Sequence, residues 1–519
     1  MVLETDVVTT TGPKLVELRR QPVKTLGFGE ALVAVKAVGV CATDVELFDG
    51  TMGYYHSGLS TVPLVPGHEW AGEILKLGPA APSHLHVGQR VIGEHCTGCY
   101  PQTSAETQTT RCKICCQPGG LLRCPQRKET GFFGREGAFQ TVMRFPAWQL
   151  HVLPPGTPWE LAVLAEPLAT ACKAVRLANL NKNPEPKNGI QPWVVVVGDG
   201  AVGLLLLQVL RVRERVPRVC LVGAQPTRLK QAEALGAELA GRDGFRYGGW
   251  KCFLRQFMMP CPAWNVRESP SDLHAALADA PPSLVLEAAG TPEAVKLAVS
   301  LVAPGGTVIL LGLSGNKLAE LCTDDVVLRQ LTLRGSLSSE PEDWQAVQEI
   351  LAAGKLSSVV THAFEGLEKY QEAIENVRQP PDGMIKVIVT PKEIRHRKRQ
   401  REETCEMFRI FITALLLFVA QSDSSQEFLP AAPKVESDAT GKPEVGSEGG
   451  VTVAETKEIE FDAASNPYIA TSTTAECLAL IFMIVACVIC YLECCKLLGH
   501  GMKMVSVRTQ SLCKIVFRL

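Results

Sequence analysis

A thiol, an imidazole and several carboxylates fall within a short stretch near the start of the chain: Gly39-Val40-Cys41-Ala42-Thr43-Asp44, then Pro66-Gly67-His68-Glu69. Catalytic zinc takes a few protein ligands from Cys, His, Asp and Glu and keeps one position open for water or substrate. Cys41, His68 and Glu69 are donors of that kind, and Glu166, in Ala165-Glu166-Pro167-Leu168-Ala169, offers another oxygen. Taken singly, each has an ordinary explanation: Cys41 as a small buried hydrophobe, His68 as a turn residue, Glu69 and Glu166 as solvated carboxylates. Their joint occurrence ahead of a glycine-rich loop shifts the balance toward a metal that polarises an oxygen.

That loop is Val194-Val195-Val196-Val197-Gly198-Asp199-Gly200-Ala201-Val202-Gly203. An apolar β-branched run before Gly-x-Gly-x-x-Gly, with a helical stretch after it, is the dinucleotide fingerprint: Gly198 for the tight turn, Gly200 for close approach of the pyrophosphate, Gly203 for helix–strand packing. The helix start at Ala201 and Val202 supplies free N–H groups to the phosphates. The second strand ends Leu221-Val222-Gly223-Ala224-Gln225, so the acid that would accept the ribose 2′-OH of NAD is missing from its usual place. With Gly223 there and Arg228 close behind, a 2′-phosphate is permitted, and the reading tips to NADP over NAD.

These motifs need two kinds of scaffold. Residues 1 to about 178 read as short strands between Gly and Pro turns, among them Ala31–Val38, Gly72–Gly78 and Val87–Ile92. From Pro192 the pattern becomes alternating strands and helices, with later strands at Val219–Val222, Leu284–Glu287, Val308–Leu311 and Leu331–Leu333. This is the rhythm of a doubly wound parallel sheet. A segment rich in aromatic residues and methionine, Gly244–Ser269, interrupts it. It reads either as a surface insertion or as sequence retained from a noncoding stretch.

At 519 residues the chain calls for two or three domains, and a net charge of -2 gives no electrostatic case for nucleic acid. Nineteen cysteines are unevenly placed: six lie between Cys96 and Cys124, and seven from Cys405 onward. No secretory signal opens the sequence, so the first part is expected in the cytoplasm with thiols free for metal.

With these residues in place, 1–391 resembles the zinc-containing medium-chain alcohol/polyol dehydrogenases of the sorbitol, glucose and threonine type. The residues carrying the likeness are Gly39–Asp44, Gly67-His68-Glu69, Glu166-Pro167-Leu168 and Gly198–Gly203, with Glu287-Ala288-Ala289-Gly290, Pro304–Val308 and Ile385-Lys386-Val387. The resemblance implies an α/β protein: a GroES-like, β-rich zinc catalytic domain (1–178 plus 340–391) interrupted by a Rossmann NAD(P)-binding domain (179–339). It places Cys41, His68 and Glu166 on catalytic-zinc positions, Glu69 beside the metal, Thr43 on the hydroxyl that takes the substrate proton, and Asp44 behind the ligands. A relay histidine that many relatives carry near Glu46 is missing. Glutamate at position 166, where simple-alcohol enzymes tend to place cysteine, implies a polyhydroxy substrate such as a polyol or sugar, with a threonine-like amino alcohol next. A homo-oligomer, dimer or tetramer, is implied too.

The family's structural zinc sits in a loop spaced Cys-x2-Cys-x2-Cys-x7-Cys. Cys96, Cys99, Cys116 and Cys124 match it best, with Cys112 or Cys115 as alternates across the inserted residues 100–111. Such a closed site would stabilise the fold and take no part in chemistry.

Residues 392–519 have no place in that family. A basic run, Arg395–Arg401, precedes a signal-like apolar stretch at Ile410–Ala420 and a polar linker. A candidate transmembrane helix at 476–498 follows, with Cys494 and Cys495 placed for palmitoylation, then a basic tail at 499–519. This reads as a small single-span protein fused to the enzyme, and a genuine tail would tether it to a membrane. A competing class is a membrane-anchored cofactor-binding scaffold that has lost turnover. Intact Cys41, His68, Glu69, Glu166 and Thr43 argue against it. A zinc-free quinone reductase is set aside because those lack the Cys/His pair.

Overall fold

Val194–Val197 is buried on both faces and forms a central strand of a six-stranded sheet in the computed structural model. Continuous β-branched runs are what a parallel strand covered by helices on both sides requires. The structure describes residues 3–99, 112–115, 117, 119–180, 191–237, 263–265, 273–274, 277–278, 280–315 and 317–392. Met1–Ile394 cluster as one compact unit. Cys116, Arg395–Arg401, the signal-like stretch and the candidate span at 476–498 lie outside the described residues. Among the described residues no helix is long and apolar enough to cross a membrane.

Every pairing in the six-stranded sheet is parallel, in the order Ala263–Asn265, Val219–Gly223, Val194–Val197, Leu284–Glu287, Thr307–Leu310, Thr332–Gly335. The chain thus runs outward from the Val194 strand in both directions, the arrangement that opens a ligand crevice at the carboxyl ends of the central strands. Ala263–Asn265 was unexpected as a strand. It comes from the segment read as an insertion, yet it pairs with Leu221–Gly223 and extends the sheet. The rest of that segment up to Cys261 lies outside the described residues.

A second large sheet has seven strands, built around Glu30–Val40. Glu69–Leu77 and Val142–Pro146 pair antiparallel with it. Lys386–Thr390 returns from the far end of the sequence to pair antiparallel as well, Val387 opposite Val40. Val360–Glu365 then adds in parallel beside Lys386–Thr390. The helix Ala165–Ala178 packs among both regions. One core cluster joins its Leu168 and Cys172 to Ala71 and Ile92 of the seven-stranded sheet and to Val196 and Leu286 of the six-stranded one. Pro167 sits within the first turn, where a missing N–H costs nothing, and Asn179 in the left-handed region ends the helix.

Candidate active site

Glu30–Val40 ends at Cys41, which is the N-cap of the short helix Ala42–Asp49. Asp44, three residues on, closes a capping box: its Oδ2 accepts from the Cys41 N–H at 2.9 Å. The other carboxylate oxygen, Oδ1, lies 3.5 Å from His68 Nδ1. Asp44 is fully buried and so binds together the backbone of one candidate ligand and the ring of another. A carboxylate on one ring nitrogen leaves the other to face a metal, the usual arrangement around a ligating histidine. His68 Nε2 is 4.0 Å from Glu69 Oε1. Burial alone would hold the imidazole neutral, but Asp44 and the Cys41 sulfur raise its pKa well above the ordinary range. Thr43 Oγ1 is 3.6 Å from Cys41 Sγ.

Cys41, His68 and Glu69 therefore converge, one ligand atom from each lying within 4.8 Å of the others. The donor set of thiol, imidazole and carboxylate fits zinc. Glu166 is buried on the first turn of Ala165–Ala178 and is not one of the converging atoms. Burial drives its carboxyl pKa up, while His68, His95 and Lys386 pull it down, so its charge belongs to the same neighbourhood.

Lys386 is the residue that sequence reasoning missed as part of the site. Its ammonium makes a tight ion pair with Glu69 Oε2, both groups almost completely buried. Burial disfavours the ammonium, and Glu69 and Cys41 more than restore it. The motif Ile385-Lys386-Val387 was visible, but only the return of the last strand reveals which carboxylate it meets. Gly39 makes room for this pair. It lies opposite Glu69, and a Cβ there would stand 2.0 Å from Glu69 Oε2. Gly39→Ala is expected to displace the Glu69 carboxylate, cost about 1–3 kcal/mol of stability and lower turnover at least about tenfold. Thermal denaturation and steady-state kinetics of the one variant check both.

The cofactor loop shows the three expected glycine environments. A Cβ on Gly203 would stand 1.9 Å from the Gly198 carbonyl oxygen, so close helix–strand packing demands glycine. Gly198 has φ 129°, which L side chains rarely adopt. Around Gly200 nothing lies within 4 Å of an added Cβ, and the helix Ala201–Gln208 that follows carries no side-chain cap. Open space beside uncapped N–H groups fits a dinucleotide pyrophosphate.

Asp199, between the first two glycines, departs from expectation. Its Oδ2 accepts from the N–H groups of Ala224 and Gln225, both at 2.8 Å. Its Oδ1 lies 3.5 Å from Arg228 Nη1. A Cβ on Gly223 would come within 2.5 Å of the Asp199 side chain. The carboxylate absent from the end of Val219–Gly223 is supplied there by the loop instead. Arg228, read as a partner for a 2′-phosphate, is already paired.

The cysteine lobe also differs in register from the expected set. Cys99, Cys112, Cys115 and Cys124 form the thiol cluster, while Cys96 stands apart with His95 and Glu129. Cys116 lies outside the described residues. Cys99 and Cys115 sulfurs are 3.5 Å apart, Cys112 and Cys124 sulfurs 3.9 Å. Thiolates at about 2.3 Å around tetrahedral zinc stand about 3.8 Å from one another, so the spacing fits the ion. Backbone N–H groups of Cys99, Cys112 and Cys115 point at cluster sulfurs. The N–H of Cys115, with other cluster contacts, holds the Cys112 thiol down to about 7. Across the inserted residues 100–111, Cys112 and Cys115, the alternates in the sequence, are the ones that join Cys99 and Cys124, and Cys96 satisfies the spacing rule without joining them.

Two family models match the chain: the alcohol dehydrogenase GroES-like domain over residues 27–155, and zinc-binding dehydrogenase over residues 262–353. The chain belongs to the zinc-binding alcohol dehydrogenase family. The C-terminal region is outside it. Among its relatives, a sorbitol dehydrogenase of Halalkalibacterium halodurans is 25% identical over 389 residues, 74% of this chain and 98% of that protein. An L-threonine 3-dehydrogenase of Pyrococcus horikoshii is 27% identical over 72% of this chain and 94% of its own. In fold the chain matches an Escherichia coli alcohol dehydrogenase complexed with NADH, with a TM-score of 0.59 and 22% identity. That match covers 75% of this chain and 99% of the other. A Sinorhizobium meliloti zinc-binding dehydrogenase structure bound to NADP gives 0.59 and 23%, covering 75% and 100%. Members of this zinc-binding dehydrogenase family are oxidoreductases, and so is this chain.

Proposed function

We propose that this dehydrogenase removes a hydride from a secondary or sugar hydroxyl of a polyhydroxy substrate, using zinc held by Cys41, His68 and Glu69 with Glu166 beside them. The observation that carries the reading is the convergence of half-buried Cys41 with buried His68 and Glu69 in one cluster. Bound there, zinc would act as a Lewis acid on the substrate oxygen and favour its deprotonation. The chain's own groups do the rest. Asp44 fixes the His68 ring, and Lys386 holds Glu69 in place through charge. Thr43, beside Cys41, accepts the hydroxyl proton and passes it on, since a threonine hydroxyl is too weak a base to keep it. Domain limits of 1–178 with 340–391 for this site, and 179–339 for the cofactor, accord with the return of Lys386–Thr390 to Glu30–Val40.

A glutamate such as Glu166 beside the metal ligands suits a substrate with adjacent hydroxyls. Relatives include the sorbitol dehydrogenase above and a D-arabitol-phosphate dehydrogenase of Enterococcus avium. A threonine-like amino alcohol is the second reading, favoured by the threonine dehydrogenases among the relatives. The test measures reduction of NAD and NADP by the full-length protein across polyols, sugars and threonine. Chelator-sensitive turnover on a polyol supports the proposal; turnover confined to threonine replaces the substrate class. Bound zinc and cofactor without turnover on any of them would move the protein to the scaffold reading.

For the cofactor we propose NAD over NADP, which reverses the expectation from sequence. Asp199 brings negative charge to the end of Val219–Gly223 and occupies Arg228, so a 2′-phosphate would meet a carboxylate with its counter-charge already taken. Like charges a few ångströms apart in a partly screened site cost on the order of 1–4 kcal/mol. Asp199→Ala is expected to shift the ratio of kcat/KM for NADP to that for NAD upward by roughly 10- to 100-fold, about 1.4–2.8 kcal/mol. An unchanged ratio would remove Asp199 as the discriminating group.

A further inference from the structure

The residues His95, Cys96 and Glu129 form a second thiol–imidazole–carboxylate cluster, and no step proposed above uses it. All three are almost completely buried, and one ligand atom from each lies within 4.8 Å of the others. We propose that this cluster is a metal site of its own, distinct from the Cys41 cluster and the four-cysteine lobe, and selective for zinc or a similar borderline cation.

Three observations carry this. His95 and Glu129 present a ring nitrogen and a carboxylate oxygen 3.6 Å apart. Nitrogen and oxygen ligands of tetrahedral zinc stand about 3.4 Å apart, so the pair is close to a ligand edge. The carboxylate is divided in function. Glu129 Oε1 is taken by Arg127 Nε at 3.2 Å and by the Tyr54 hydroxyl at 3.3 Å, while Oε2 faces His95. Partners on one oxygen that leave the second free are the support expected around a ligating carboxylate. Finally, the Cys96 sulfur is buried beside His95 and Glu129, with the Ser338 hydroxyl 3.3 Å away.

A thiolate in the set disfavours magnesium and calcium, which take oxygen ligands, and suits zinc. Three protein donors leave a fourth place. The His95 ring lies 5.2 Å from the His68 ring, centroid to centroid, and the Phe132 ring contacts both. An ion here would add positive charge at the edge of the site that acts on substrate.

The test uses the full-length protein, loaded with zinc, desalted and counted for metal per chain, then exchanged with cadmium-113 for NMR. Sulfur count sets the cadmium chemical shift. The lobe should give one four-sulfur resonance, and the Cys41 and Cys96 clusters two separate resonances of mixed sulfur, nitrogen and oxygen coordination. Cys96→Ser is expected to lose one mixed resonance and one zinc per chain, and Cys41→Ser the other. Comparing variants with the parent cancels any metal held by other cysteines. Should Cys96→Ser fail to fold by circular dichroism, His95→Gln is read the same way. A metal count and spectrum unchanged by loss of Cys96 or His95 overturn the site. A resonance lost with Cys96 but none lost with Cys41 would uphold it while removing the zinc assignment at Cys41.

Discussion

Replacing Cys41 by serine is expected to lower kcat/KM at least about a thousandfold, a loss of about 4 kcal/mol of transition-state stabilisation. The size follows from position. Cys41 is at once a candidate ligand and the N-cap of Ala42–Asp49, with its N–H bonded to Asp44 and its sulfur beside Thr43. Serine keeps the cap, since a hydroxyl is as good an N-cap as any, and leaves the Asp44–His68 contact in place. The fold should therefore survive with a melting temperature within a few degrees of the parent, while zinc falls by one per chain and turnover disappears. Full activity in Cys41→Ser would defeat the proposed mechanism. Normal cofactor binding measured alongside would show that the loss lies in the chemistry.

The second large effect concerns Cys115→Ser, and it should appear in stability with catalysis following behind. The lobe residues are held chiefly by one another: three backbone N–H groups spend their hydrogen bonds on cluster sulfurs. Structural zinc supplies about 10–16 kcal/mol of apparent binding free energy in small domains built on it. In this protein the core clusters of the two large sheets include none of the four lobe cysteines, so the loss should be local. Amide protons around 112–124 are expected to exchange orders of magnitude faster, while Val194–Val197 and Glu30–Val40 stay protected. Hydrogen exchange read by mass spectrometry checks this. Uniform exchange across the chain would mean the lobe is coupled to global folding, and no change would mean no ion is held there.

What the sequence conveyed and what it withheld follow one physical division. Cys41, His68, Glu69 and the three glycines were legible because their chemistry is local: side-chain type and near spacing define it. The alternating apolar runs of the parallel sheet were legible for the same reason. Information carried by long-range juxtaposition was not. Asp199 was hidden because its carboxylate reaches the end of the Val219–Gly223 strand from a separate loop. Lys386 was hidden because its partner Glu69 is more than three hundred positions away. The lobe register stayed open in the sequence because an insertion separates the paired thiols and leaves six cysteines for four ligand places. Ala263–Asn265 lacked any surrounding periodicity that would have marked it as a strand.

The return of Lys386–Thr390 to the Glu30–Val40 strand has a consequence for the order in which the protein matures on the ribosome. Parallel strands and helices from Val194 to Gly335 can pair as soon as they emerge, since their contacts lie within one stretch of nascent chain. The sheet that carries Cys41 and Glu69 must wait until residue 390 has cleared the exit tunnel, because its sixth and seventh strands are the last to be translated. Until then Glu69 has no buried cation opposite it. Synthesis stalled before Ile385 would leave a finished nucleotide fold attached to an unclosed sheet with exposed edges, a species that chaperones and proteases would recognise, so that only chains extended past residue 390 acquire the charge pair on which the site depends.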